Sequence, residues 1–111
     1  MANRGEIAVR ILQTARKMVI RTVTIYASHE KHPMHGQQAD EAWSLGEGNL
    51  DETYLNIARI IEIAGKSQAD AIHPGYGFLS ENPDLARACH QQGILFIGPS
   101  PEAIATMGNK L

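Results

Sequence analysis

A chain of 111 residues, 43% apolar and 20% charged, has the size and composition of one globular domain, able to bury roughly two-thirds of the surface that its unfolded form exposes. Ten basic against twelve acidic side chains give a net charge of −2 with no run of like charge, which argues against a nucleic-acid footprint. The longest apolar run, Ile94–Ile97, cannot span a bilayer, Arg4, Glu6 and Arg10 break up any signal-peptide core, and a single cysteine allows no internal disulfide; membrane and secreted classes are set aside, and the expected compartment is cytoplasmic.

Short apolar runs alternate with helical periodicity, the pattern of βαβ units on a parallel sheet. The first helix is predicted from about Glu6 to Met18. Ile7, Ile11, Ala15 and Met18 form its apolar face, widened by Ala8 and Leu12, and Arg10, Gln13 and Lys17 form an opposing polar stripe. Arg21–Tyr26, β-branched at 22 to 25, is predicted as a strand. Ser28–Gln38 is polar, holds Pro33 and Gly36, and is predicted as a loop; Ala42–Leu45 is a short strand with the only tryptophan.

Ile57, Ile60, Ile61 and Ala64 give the next helix, with Asn56 as N-cap and Gly65 as the residue just past its end. Ala69–His73 is a strand ending at Pro74. Asn82 caps a helix with Pro83 at its first position, Leu85, Ala88 and Cys89 on its buried side, and Gly93 beyond it. The apolar run Ile94–Ile97 is expected to be a strand covered on both faces, and Ser100-Pro101-Glu102 starts a last helix that stops at Gly108. Both ends read as cut. Only Met1 and Ala2 precede the Asn3-Arg4-Gly5-Glu6 turn, where an α/β domain is expected to have its first strand, so the chain is expected to be part of a larger design.

The densest chemical signal is the segment from Ile72 to Pro83, a strand entering a loop with two glycines and two aromatics and then a capped helix. Open α/β folds bind ligands outside the carboxyl ends of their strands, and Gly75 and Gly77 permit close backbone approach. Tyr76 and Phe78 either fold back onto the core or wall a pocket. The glycines make no dinucleotide fingerprint, because Ser80 stands at the third glycine position. Gly65-Lys66-Ser67 copies the tail of a phosphate loop, but Ile60 replaces its first glycine, so that triplet is a helix end. His29, His32 and His35 lie on a loop with no frame to converge them, and no metal site is expected. Cys89 is expected to be a buried hydrophobe, His73 to be held at a strand end and His90 to be exposed.

Ala2-Asn3-Arg4-Gly5-Glu6-Ile7-Ala8, Ala39-Asp40-Glu41-Ala42, Tyr54-Leu55-Asn56-Ile57, the block His73–Asn82, Phe96-Ile97-Gly98-Pro99 and Met107-Gly108-x-Lys110 occur in order. Together they resemble the N-terminal, pre-ATP-grasp domain of biotin carboxylase, over nearly the whole chain. The resemblance implies a Rossmann-like, three-layer α/β domain with a mostly parallel sheet, residues 1–111 forming the domain and the ATP-grasp domain lying outside it. It implies an enzyme that uses Mg²⁺ and ATP to activate bicarbonate and carboxylates biotin on a carrier, alongside a carboxyltransferase. It also implies that Tyr76, Gly77, Phe78 and Glu81 border the biotin site, and that Lys110 binds ATP phosphates. Arg10, with Gln13 and Lys17, would lie at a homodimer interface.

Val19 replaces the family's usual glycine after the first helix. A β-branched residue at φ > 0 there costs of order 1–3 kcal/mol. No catalytic residue is expected within the chain, which alone is expected to be inactive. The alternative is a non-catalytic scaffold or dimerisation fragment.

Overall fold

The computed structural model describes residues 1–28 and 39–108. Its elements follow the predicted alternation: α1 (Gly5–Lys17), β1 (Val23–Tyr26), β2 (Glu41–Ser44), α2 (Ile57–Lys66), β3 (Ala71–Ile72), α3 (Pro83–Gln91), β4 (Leu95–Phe96) and α4 (Pro101–Gly108). The predicted loop beyond Ser28, with His29, His32 and His35, lies outside the described residues, as does Lys110.

β1 and β2 pair in parallel from Val23 opposite Glu41 to Tyr26 opposite Ser44. β3 and β4 also pair in parallel, Ala71 opposite Leu95 and Ile72 opposite Phe96. The expected single sheet is therefore two parallel pairs in a Rossmann-like α/β arrangement. Met1 and Ala2 sit between them. The Met1 amine donates to the Val23 carbonyl at 2.7 Å, and the Ala2 N–H donates to the His73 carbonyl at 2.8 Å. Two residues supply one bond to each side, too few to ladder both edges. A cleft of about 970 Å³ is walled by Val23 and Ala71 from the strands, Leu12 and Ala15 from α1, and Ile63 and Ala64 from α2.

One buried cluster links Ile25 of β1 and Ile72 of β3 with Tyr54, with Ile60, Ile63 and Ala64 of α2, and with Leu85 and Cys89 of α3. On α1 the buried face is centred on Ala8 and Leu12. The predicted Ile7–Ile11–Ala15 row lies half-buried at its margin, and Met18 is 65% exposed, because the helix ends before it. On α3 the buried residues are Leu85, Ala86 and Cys89, with Ala88 only half-buried. The strand expected to be covered on both faces is not. Leu95 is 66% and Ile97 46% exposed, because β4 pairs only with β3 and its outer side has no cover among the described residues.

Three helices end in the same hydrogen-bonded closure. After α1, Val19 N–H donates to Arg16 O and Ile20 N–H to Ala15 O. After α2, Gln68 N–H donates to Gly65 O and Ala69 N–H to Ala64 O. After α3, Gly93 N–H donates to His90 O and Ile94 N–H to Cys89 O. This double closure satisfies two orphan carbonyls and requires a left-handed residue just past the cap. That residue is Val19 (φ 60°), Gln68 (φ 61°) and Gly93 (φ 71°) respectively. Gly93 stands where its expected place past α3 puts it. Gly65 does not lie past α2, because the helix runs through it to Lys66 and the left-handed turn falls on Gln68.

Val19 meets the condition that makes it costly, with a positive φ and 92% exposure. Replacing it by glycine removes the steric cost and forfeits almost no packing, though glycine's greater unfolded-state entropy offsets part of the gain. Val19→Gly is expected to stabilise the chain by about 1–2 kcal/mol, read as a higher urea midpoint at unchanged slope. A lower midpoint refutes the assignment of strain.

Candidate functional site

β3 ends at Ile72, and its carboxyl end feeds a loop built from left-handed residues: Gly75 (φ 69°), Gly77 (φ 62°) and Phe78 (φ 46°). Gly75 is constrained by space as well as by φ. A Cβ there would lie 2.7 Å from Asn3 Nδ2 and 3.0 Å from both Asn3 Cβ and Ile7 Cγ2. Asn3 is 2% exposed and reaches across from the turn before α1. Its Nδ2 donates to the carbonyls of Pro74 (2.9 Å) and Tyr76 (2.6 Å), while its Oδ1 accepts from the Arg4 N–H at 2.8 Å. The loop's shape is thus set by a side chain more than seventy residues away in sequence.

His73 is held at the strand end as expected. Its Nδ1 accepts from the Gly75 N–H at 3.1 Å, which makes that nitrogen the unprotonated one. Burial, and secondarily the positive charge of the chain's amino end, lower its pKa from the ordinary histidine value.

The two possibilities for the aromatic pair divide between the two residues. Phe78 folds back, half-buried, and stacks on buried Tyr54 with centroids 5.5 Å apart and planes 11° from parallel. The Arg4 guanidinium lies over both rings, 5.3 Å from the Tyr54 centroid and 5.5 Å from that of Phe78. Tyr76 does the opposite. It is 78% exposed beside the cleft. Gly77 and Glu81 are also exposed, Glu81 just before Asn82, whose Oδ1 accepts from the Asp84 N–H at 2.8 Å to start α3. Tyr76, Gly77, Phe78 and Glu81 therefore share one loop at the strand's carboxyl end.

Arg10, Gln13 and Lys17 form the predicted exposed stripe on α1, with Arg10 donating to Thr14 Oγ1 at 3.0 Å and lining the same cleft as Gly75 and Tyr76. Cys89 is buried, and burial pushes its thiol pKa up, so it is no thiolate nucleophile. His90 is exposed. Among the described residues no three His, Cys, Asp or Glu side chains gather into a set that could hold a metal ion.

Sequence reasoning gave no role to Asn3, Arg4 or Tyr54. Each acts through a contact distant in sequence, with no periodicity to announce it. The available signal was an asparagine two residues before the glycine that opens the first helix.

Residues 1–104 match the family described as biotin carboxylase, N-terminal domain. Biotin carboxylase 2 of Bacillus subtilis is 53% identical over 111 residues, which is all of this chain and 25% of that protein. The crystal structure of the Kluyveromyces lactis urea amidolyase superposes with a TM-score of 0.94 at 48% identity, over 96% of this chain and 6% of that one. The biotin carboxylase domain dimer of the Hydrogenobacter thermophilus 2-oxoglutarate carboxylase, in complex with MgADP, ADP and bicarbonate, superposes with a TM-score of 0.92 at 48% identity, over 96% of this chain and 23% of that one. The chain spans about a quarter or less of each.

Two predictions follow the geometry of the loop. Gly75→Ala forces a Cβ against the Asn3 amide at a positive φ and is expected to destabilise the chain by about 1–3 kcal/mol; a urea midpoint equal to that of the parent contradicts the packing described. The second concerns protons. Burial lowers the Met1 amine pKa from 8.0 to about 6, and His73 is lowered too, so the unfolded chain binds more protons than the folded one in this range. Stability therefore rises with pH, by about 2 kcal/mol between pH 6 and pH 8.5 from Met1, with the His73 contribution lost below its ordinary pKa near 6.5. Denaturant melts that are superimposable at the two pH values count against both assignments.

Proposed function

The chain belongs to the biotin carboxylase N-terminal domain family, and on that premise we propose that it forms one wall of a biotin carboxylase active site, contributing to ATP- and bicarbonate-dependent carboxylation of carrier-bound biotin. The observation that carries the reading is the outward Tyr76 on a left-handed glycine loop at the carboxyl end of a parallel strand. A planar phenol at that place offers an apolar face and a hydroxyl, which suits a small ring bearing polar ureido atoms. Gly77 lets such a ring approach the backbone, and Glu81 supplies a nearby solvent-facing carboxylate. Phe78 acts differently from Tyr76. Its ring is committed to Tyr54, so it shapes the loop and does not itself face the cleft.

The described residues do not fit a nucleotide and its metal. Among them no carboxylate set comes together for Mg²⁺. ATP, Mg²⁺ and bicarbonate are accordingly assigned to parts of the enzyme other than the described residues, with Lys110 contributing to the phosphates. The exposed Arg10, Gln13 and Lys17 stripe is assigned to the homodimer contact. The carrier and carboxyltransferase are its working partners, and the cytoplasm is its compartment. The acceptor that finally receives the carboxyl group is chosen elsewhere in the enzyme.

The purified 111-residue chain is expected to release no ADP above blank when given biotin, bicarbonate and MgATP. Biotin-dependent release by this chain alone overturns the division of labour. A chimera, in which the chain replaces the matching N-terminal quarter of Bacillus subtilis biotin carboxylase 2, tests the wall itself. Tyr76→Ala in that chimera is expected to raise KM for biotin about tenfold, equivalent to about 1.4 kcal/mol of binding, with KM for ATP unmoved. An unchanged biotin KM refutes the assignment of Tyr76.

A further inference from the structure

We propose that Asn3 and Arg4 are positioning residues, which hold the Tyr76–Phe78 segment in the one conformation that turns Tyr76 outward. The inference rests on the reading of that loop as the biotin-facing wall and adds to it the device that sets the wall's shape.

Asn3 is saturated at the loop. Both Nδ2 protons have an acceptor, the carbonyls of Pro74 and Tyr76, and Oδ1 takes the N–H of Arg4. The two carbonyls flank Gly75, so the amide staples the loop across its left-handed residue. Only a primary amide of this length meets all three partners. An aspartate would keep the Oδ1 acceptor but bring an anionic oxygen against two carbonyl oxygens. A glutamine would be one methylene too long for a space in which even a Gly75 Cβ would lie 2.7 Å away.

Arg4 acts on the other end of the segment. Phe78 is a bulky residue at φ 46°, a backbone state that such residues rarely hold unaided. Its ring is gripped by Tyr54 and by the Arg4 guanidinium, which covers both rings. No carboxylate pairs with Arg4 among the described salt bridges, so the rings are its partners. Adjacent residues of the α1 turn thus fasten Pro74 and Tyr76 on one side and Phe78 on the other. Tyr76 is thus held by its backbone carbonyl, while its side chain stays 78% exposed.

The test uses Asn3→Asp and Arg4→Lys, each retaining part of the native chemistry, at a temperature where far-UV circular dichroism matches the parent. In the 111-residue chain, amide hydrogen exchange at Gly75 and Ser80, whose N–H groups donate to His73 Nδ1 and the Gly77 carbonyl, is expected to quicken at least tenfold, with the amides of α3 and β1 unchanged. Exchange that stays slow at the loop, or quickens equally everywhere, overturns the proposal, the second outcome marking a general structural role. The same substitutions in the chimera are expected to raise KM for biotin severalfold while leaving KM for ATP and kcat at saturating biotin close to the parent values. Quickened loop exchange with an unmoved biotin KM would leave the staple intact as a physical fact and overturn its role in binding, locating the failure in the reading of the loop.

Discussion

A side-chain amide sealed from water between two backbone carbonyls and a backbone N–H costs a few kcal/mol if any partner is lost. Asn3 is such a group, and its three bonds tie the turn before α1 to the loop after β3. Much else depends on that tie. Gly75 must lack a Cβ because the amide occupies its flank. The following backbone turns left-handed, which carries Phe78 back toward Tyr54 and leaves Tyr76 facing solvent. Ala2, next to Asn3, bonds to the His73 carbonyl, and His73 in turn accepts from Gly75. Loop, strand end and helix start form one hydrogen-bonded unit, with the exposed phenol as its outer surface.

What the sequence made legible was local. Asn82 and Pro83 announce α3, and the structure places both as cap and first residue. Asn56 accepts from Arg59 N–H at 3.1 Å, as its position before an apolar helical face implied. The parallel pairing followed from the alternation of elements. What the sequence hid was non-local. The apolar periodicity of α1 suggested a face one residue from the true centre, because Ala8 and Leu12 are small or well-placed enough to enter the core while Ile7 and Ile11 stay at its rim. The run Ile94–Ile97 carries the composition of a strand buried on both faces, yet burial depends on what lies over each face, and composition alone does not report that. The loop was found by its glycines and aromatics, whereas the residues that shape it lie at the opposite end of the chain.

Left-handed backbone recurs in this domain with two different justifications. At Val19 and Gln68 the conformation is imposed by helix termination: two orphan carbonyls must be satisfied, and the closing geometry puts a positive φ on whichever residue falls there. Neither residue is buried, so the strain is held by backbone bonds alone. At Phe78 the strain sits in a half-buried side chain stacked under a cation, and packing holds it. Strain at a helix end can be relieved by one substitution without altering what surrounds it. Strain at Phe78 cannot, because its φ determines where the ring lands and therefore where Tyr76 does not go.

This distribution of rigidity bears on why one domain serves enzymes named for urea and for 2-oxoglutarate alike. Its exposed loop is fixed by contacts internal to the domain, from Asn3, Arg4, Tyr54 and His73. Nothing in those contacts refers to an acceptor. On the proposal that this loop walls the biotin site, a surface preset by its own domain would lose little conformational entropy when the ring arrives. The loop's own exposed groups are one carboxylate, Glu81, and glycine backbone, while Arg10 and Arg21 line the cleft beside Tyr76, and the proposed division leaves phosphate and metal chemistry to other parts of the enzyme. The separation follows from electrostatics: bound phosphates and metal demand converging ions, whereas a neutral ureido ring demands shape, and a loop stapled by one neutral amide supplies shape without adding charge.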